Sequence, residues 1–165
     1  MHLVVHAEPT DASLPAVDYR WDADTEILTA RVRAKGVSEG LDGSVELEGG
    51  DGWLTLDVTK GRITAVEVAV WPEVRTVSGL VAPDAPAATA TIPARASQPG
   101  IAALEVEAKG LSAETDPSER TIHFRVGTLR HERHVRIAAD LILDLDGHGR
   151  VSGLWLLNVP PFPES

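Results

Sequence analysis

The densest collection of groups able to do chemistry runs from Arg120 to Arg136. Arg120, Arg125, Arg130, Arg133 and Arg136 are interspersed there with His123, His131, His134 and Glu132. Arginine's planar fork suits phosphate and carboxylate, so Arg125, Arg130, Arg133 and Arg136 are candidate anion-binding residues. The competing reading is a set of solvent-facing positions whose charges guard strand edges against aggregation. The stretch lacks the repeated aromatic interleaving that stacks single-stranded bases. With a net charge of −10, the chain as a whole repels nucleic acid and anionic membranes.

The same stretch raises a metal question through His131-Glu132-Arg133-His134. A zinc-protease motif needs two histidines four apart on one helical face. Here the spacing is three in a strand-like segment, which would send the rings to opposite faces. A site on His131 and His134 would need a third ligand from elsewhere, His123 or Asp146, which makes His123, His131 and His134 the candidate metal ligands. Asp144-x-Asp146 and Asp22-x-Asp24 echo calcium loops, but strands resume too soon for a loop of about twelve residues closed by a bidentate Glu. Hairpin chemistry explains these aspartates better. No Gly-x-Ser-x-Gly elbow and no phosphate-cradling glycine loop occurs, so no catalytic residue and no cofactor is assigned. Trp71, Trp155 and Phe162, large anchors in a chain only 4% aromatic, are candidates for a surface that meets a partner or a second subunit.

The elements that must carry these residues are strands. Leu141, Leu143 and Leu145 alternate with Ile142, Asp144 and Asp146, a period of two. Asp146-Gly147-His148-Gly149 supplies hairpin-turn residues, and 150–158 returns as a strand apolar on both faces, hence central. Val17–Trp21, Ile122–Val126 and Leu104–Ala108 read as further strands. Gly36–Gly52 reads as an acidic turn region, and no amphipathic helix is evident. An internal repeat organises the pattern. Aligning 54–72 with 141–160 across one inserted residue brings Leu54, Leu56, Asp57, Gly61, Arg62 and Pro72 onto identical partners, six of nineteen pairs. The copies span about 17–72 and 102–160, joined by a Pro/Ala-rich connector over about 79–100. Its prolines exclude both a continuous helix and a central strand.

The segment from Leu141 to Leu157 resembles the closing strand–Asp-Gly–strand unit of DUF2283, a family of small bacterial proteins of unknown function. Tyr19-Arg20-Trp21-Asp22 to Leu28 is similar to that family's opening. The resemblance implies two such units in tandem and brings no catalytic residues. In copy one, Thr59 and Lys60 stand where the family prefers acidic turn residues, and copy two lacks the opening signature.

The chain of 165 residues, 43% hydrophobic and without cysteine, fits one globular domain with neither disulfides nor thiolate chemistry. Nothing resembles a signal peptide or a membrane-spanning run, which points to the cytoplasm. Twelve arginines among fifteen basic residues suggest a GC-rich bacterial source. The expectation is a mostly-β sandwich or barrel-like single domain (residues 1–165) of two pseudo-symmetric repeats. Its expected role is binding or assembly, as a homodimer or with a protein partner. A small hydrolase working in a cleft, or an anion-binding module on Arg120–Arg136, is the alternative.

Overall fold

A computed structural model describes residues 3–33, 43–93, 100–105 (main chain only) and 110–163. Among them there is no helix, and none is long and apolar enough to cross a membrane. In chain order the strands are β1 (His6–Pro9), β2 (Val17–Trp21), β3 (Leu28–Val32), β4 (Gly43–Gly49), β5 (Gly52–Thr59), β6 (Arg62–Val70) and β7 (Val74–Thr76). They continue as β8 (Ala88–Thr91), β9 (Gly100–Glu105), β10 (Leu111–Thr115), β11 (Ile122–Val126), β12 (Arg133–Ala138), β13 (Leu141–Leu145) and β14 (Val151–Leu156). One six-stranded sheet has the order β2-β3-β6-β5-β4-β9, the other β12-β13-β14-β11-β10-β7, and β1 pairs with β8.

The sandwich-like architecture follows from alternation. Leu28, Ala30, Leu54, Leu56, Val66 and Val68 of the first sheet share one apolar core with Ile122, Phe124, Leu141, Leu143, Leu145, Leu154 and Leu156 of the second. Phe124, Leu56 and Leu143 are wholly buried, each worth about 1.5–3 kcal/mol relative to exposure. Strand β14, expected to be central, lies between β13 and β11, and all six of its residues are buried.

Five strands of each sheet correspond in order, β2-β3-β6-β5-β4 with β10-β11-β14-β13-β12, while the sixth, β9 or β7, is added at opposite edges. In the first, Leu28 faces Val68 and Ala30 faces Val66 across β3 and β6; in the second, Ile122 faces Leu156 and Phe124 faces Leu154 across β11 and β14. The β5–β6 pairs Leu54↔Val68 and Leu56↔Val66 match the β13–β14 pairs Leu141↔Leu156 and Leu143↔Leu154. Both hairpins slip register immediately after an aspartate, Asp57 in one and Asp144 in the other. The first closes through Lys60 and Gly61, both at positive φ, the twist a two-residue hairpin requires. The second closes through Asp146, whose Oδ1 accepts the amides of His148 and Arg150 at 2.9 Å each.

Each half also reaches into the other. Strand β7, which follows β6, runs parallel to β10, and the tail after β14 accepts bonds from β2. Tyr19 Oη donates to the Leu157 carbonyl at 2.6 Å, and Trp21 Nε1 to that of Pro160 at 2.9 Å. The Val5 amide bonds Gly149 of one hairpin, and the Ile92 amide bonds Gly61 of the other.

The proline-rich connector, which the sequence leaves able to pack or to flex, contains β8, whose Ala88 and Ala90 are buried, so this part packs as an edge pair. Two expectations need adjusting. The glycine-rich region read as a turn holds β4, because Val45 and Leu47 point inward in alternation with Glu46 and Glu48; its residues 36–42 lie outside the described residues. The Leu104–Ala108 strand begins earlier, as β9 over Gly100–Glu105, and 106–109 lie outside the described residues.

Candidate functional sites

Two clusters of unusual chemistry emerge, one on the outer face of the second sheet and one where the two halves meet. On β13, Leu141, Leu143 and Leu145 enter the core, so Asp144 projects from the opposite face. Its cross-strand neighbour on β12 is His134 and on β14 is Gly153; Trp155 lies further along β14 and faces His123 of β11. Asp144 is 0% exposed. The carboxylate lies 2.7 Å from His123 Nε2, 2.6 Å from His134 Nδ1 and 3.1 Å from Trp155 Nε1. His123 stacks on Trp155, ring centroids 4.0 Å apart, and its Nδ1 lies 3.9 Å from Glu114 Oε1.

His131 completes the cluster. It precedes β12, which begins at Arg133, so strand alternation does not govern its ring and the expected divergence from His134 does not arise. Its Nδ1 lies 2.8 Å from Ser152 Oγ and 3.6 Å from Asp144 Oδ2. Its Nε2 is buried without a hydrogen-bond partner. Gly153 makes the room. A Cβ there would meet the Phe124 carbonyl at 2.9 Å, His123 Nε2 at 3.0 Å and the Asp144 carboxylate closer still.

Burial opposes the charge on Asp144, yet the hydrogen bonds from His123 and His134 outweigh it and hold the carboxyl below its usual range. Burial lowers the His131 pKa, against the pull of Asp144 and with help from nearby His123, Arg125 and His134. The set is not a nucleophilic triad. Ser152 and Asp144 approach the same nitrogen of His131, whereas a triad needs them on opposite nitrogens, and Ser152 is wholly buried. His123, His131 and Asp144 can present ligand atoms all within 4.8 Å of one another.

The second cluster is a cleft of about 340 Å³ lined from both halves. Trp21, Glu26, Trp71 and Val74 contribute from the first, and Thr115, Glu119, Ile122, Pro160, Pro161 and Phe162 from the second. Trp21 stacks on Trp71 at 5.7 Å and takes Phe162 edge-on at 5.1 Å, while Trp71 lies 5.9 Å from Phe124. Trp71 Nε1 donates to the Glu26 carbonyl at 2.8 Å.

The sequence candidates are thus redistributed. His123, His131 and His134 come together, with Asp144 rather than Asp146 at their centre; Asp146 instead caps its own hairpin and pairs with Arg150. Trp71 and Phe162 meet in the cleft. Trp155, 6% exposed beneath His123, offers no partner surface, because β14 is a central strand. Arg133 donates to the Ala7 carbonyl and Arg136 to that of Ala139, so both guanidiniums bond the protein's own main chain. Arg125 and Arg130 are exposed. Sequence reasoning missed Asp144 as the hub and Glu26 and Glu119 as cleft residues. The first was legible only as a hairpin aspartate, and the others sit in unremarkable turns. No protein-family model and no curated protein matches this chain.

Proposed function

We propose that this is a non-enzymatic binding protein, two tandem units of the DUF2283-like kind, working in the bacterial cytoplasm, and that the aromatic cleft between the halves takes an organic cation. The ligand is a protonated or quaternary amine, free or carried on a partner protein's side chain. One observation carries the reading: in a chain only 4% aromatic, Trp21, Trp71 and Phe162 line one cleft together with Glu26 and Glu119. Aromatic faces attract a cation by about 0.5–2 kcal/mol depending on desolvation. The two carboxylates and the net charge of −10 add long-range attraction. The matching order and register of five strands in each sheet support duplication. The cleft is then the place where equivalent turns, 22–27 and 116–121, converge.

Calorimetric titration with benzyltrimethylammonium tests this, with its uncharged tert-butyl analogue as control. Saturable binding of the cation at one per chain, weakened several-fold by Phe162→Ala and by Glu119→Gln, is the expected result. Equal binding of the neutral analogue, or no binding of either, would reject it. The anion-binding alternative is less well supported, because Arg133 and Arg136 already bond main-chain carbonyls.

A further inference from the structure

We propose that His123, His131 and Asp144, with His134 bracing the carboxylate through its other oxygen, form a binding site for one divalent first-row transition-metal ion, independent of the aromatic cleft. The donor set is the first argument. Imidazole nitrogens with one carboxylate suit zinc and its neighbours, whereas calcium and magnesium prefer oxygen cages. The spacing is the second. Ligand atoms around a tetrahedral ion at roughly 2.0–2.1 Å stand about 3.3 Å from one another. Here one ligand atom each from His123, His131 and Asp144 lie within 4.8 Å of one another, with His123 Nε2 2.7 Å from Asp144 Oδ2, while His134 Nδ1 stands 2.6 Å from the other carboxylate oxygen, Oδ1. Small side-chain rotations open these contacts around an ion.

Unspent hydrogen-bonding capacity is the third argument. A network built only for stability would satisfy its buried nitrogens, since an orphan costs about 1–3 kcal/mol. His131 Nε2 has no partner, while the hydroxyl of Ser152 holds the other nitrogen, as outer-shell groups hold metal-ligating imidazoles. Glu114 Oε1 lies 3.9 Å from the far nitrogen of His123, beyond hydrogen-bond reach, so it adds charge beside that ring rather than a bond. Charge agrees: a divalent cation would neutralise Asp144 and Glu114 together. Arg125, close enough to influence His131, is exposed and screened. Space is the last argument, because Gly153 removes the one Cβ that would fill the position beside Asp144 and His123.

The test uses the full chain stripped with a chelator and titrated with Co²⁺, followed by visible ligand-field absorption, and with Zn²⁺ by calorimetry. One ion per chain is expected, with affinity falling at least tenfold in His131→Gln and in His134→Gln, and a Zn²⁺-dependent rise in melting temperature that both variants lose. These two histidines are partly exposed, so the variants should fold; Asp144→Asn serves as the severe case. Phe162→Ala should leave metal binding unchanged, which separates this site from the cleft. No saturable binding, or binding that both histidine variants retain while replacement of the exposed His6 removes it, would overturn the proposal.

Discussion

Asp57 and Asp144 occupy the same position in their respective sheets and live in opposite environments. Each sits just before the register slip of its hairpin, faces β4 or β12 on one side, and faces β6 or β14 on the other. Around Asp57 the neighbours are Ser44 and Ala65, with Thr29 facing Glu67 one strand pair away. Around Asp144 the corresponding residues are His134 and Gly153, with His123 facing Trp155. Asp57 is half-buried and its carboxylate accepts a hydroxyl bond from Ser44 at 3.1 Å, whereas Asp144 is sealed among three imidazoles and an indole. One backbone frame thus carries either an ordinary sheet surface or a candidate metal centre. What changes is the side chain at three facing positions, together with one missing methyl group.

That contrast can be broken most severely by separating the halves. Because β7 completes the second sheet and the tail after β14 anchors Tyr19 and Trp21, residues 1–78 alone should be unfolded or should dimerise. Size-exclusion and thermal melting will show this; a well-folded monomer would sink the tandem reading. Next in size is removal of each aspartate in chelator-treated protein. Asp144→Ala strands several buried donors and should cost about 3 kcal/mol or more, whereas Asp57→Ala should cost under about 1 kcal/mol. Equal losses in urea denaturation would mean the two environments differ less than their geometry implies.

Exchanging the small residues between halves is a finer probe. Gly153→Ala forces a Cβ onto the Phe124 carbonyl and the His/Asp cluster and should cost about 1–3 kcal/mol, along with any metal affinity. Ala65→Gly in the first half should cost about 1–2 kcal/mol, through chain entropy and the loss of a buried methyl group. The smallest effect concerns the matched turns at Asp22 and Asp116. The side-chain hydroxyl of Ser118 and the amides of Thr121 and Arg120 hold the Asp116 carboxyl below its ordinary 3.8, and the amides of Asp24 and Thr25 do so for Asp22. A carboxyl depressed on folding stabilises above pH 3.8, and that contribution fades as pH falls toward its folded value. Asp116→Asn and Asp22→Asn should therefore each flatten the acid limb of the stability–pH curve slightly. An unchanged limb in both would remove these turns from the account of acid unfolding.

Much of the fold could be read from residue order because its signals are local. Alternation at 141–145, the turn residues at 60–61 and 146–149, and the apolar run at 151–156 each depend on neighbours a few positions away. The likeness of 54–72 to 141–160 was visible for the same reason, since like hairpins demand like residues. Strand β4 was obscured by its glycines and acids, although Val45 and Leu47 already carried the inward pattern.

The functional clusters depended on distance through space. Spacing along the chain argued that His131 and His134 diverge, because it assumed one continuous strand. The strand starts at Arg133, and His131 folds back over the sheet onto Ser152, twenty-one residues away. Likewise Trp21 and Phe162 touch although 141 positions separate them. The amino-acid order alone determined a cysteine-free, acidic, helix-poor chain with two similar hairpins, since those properties follow from composition and nearest-neighbour sterics. Only the folded molecule decided which aspartate gathers the histidines and which aromatics share a cleft, because cross-strand register and the packing of one half on the other are collective outcomes that no single segment encodes.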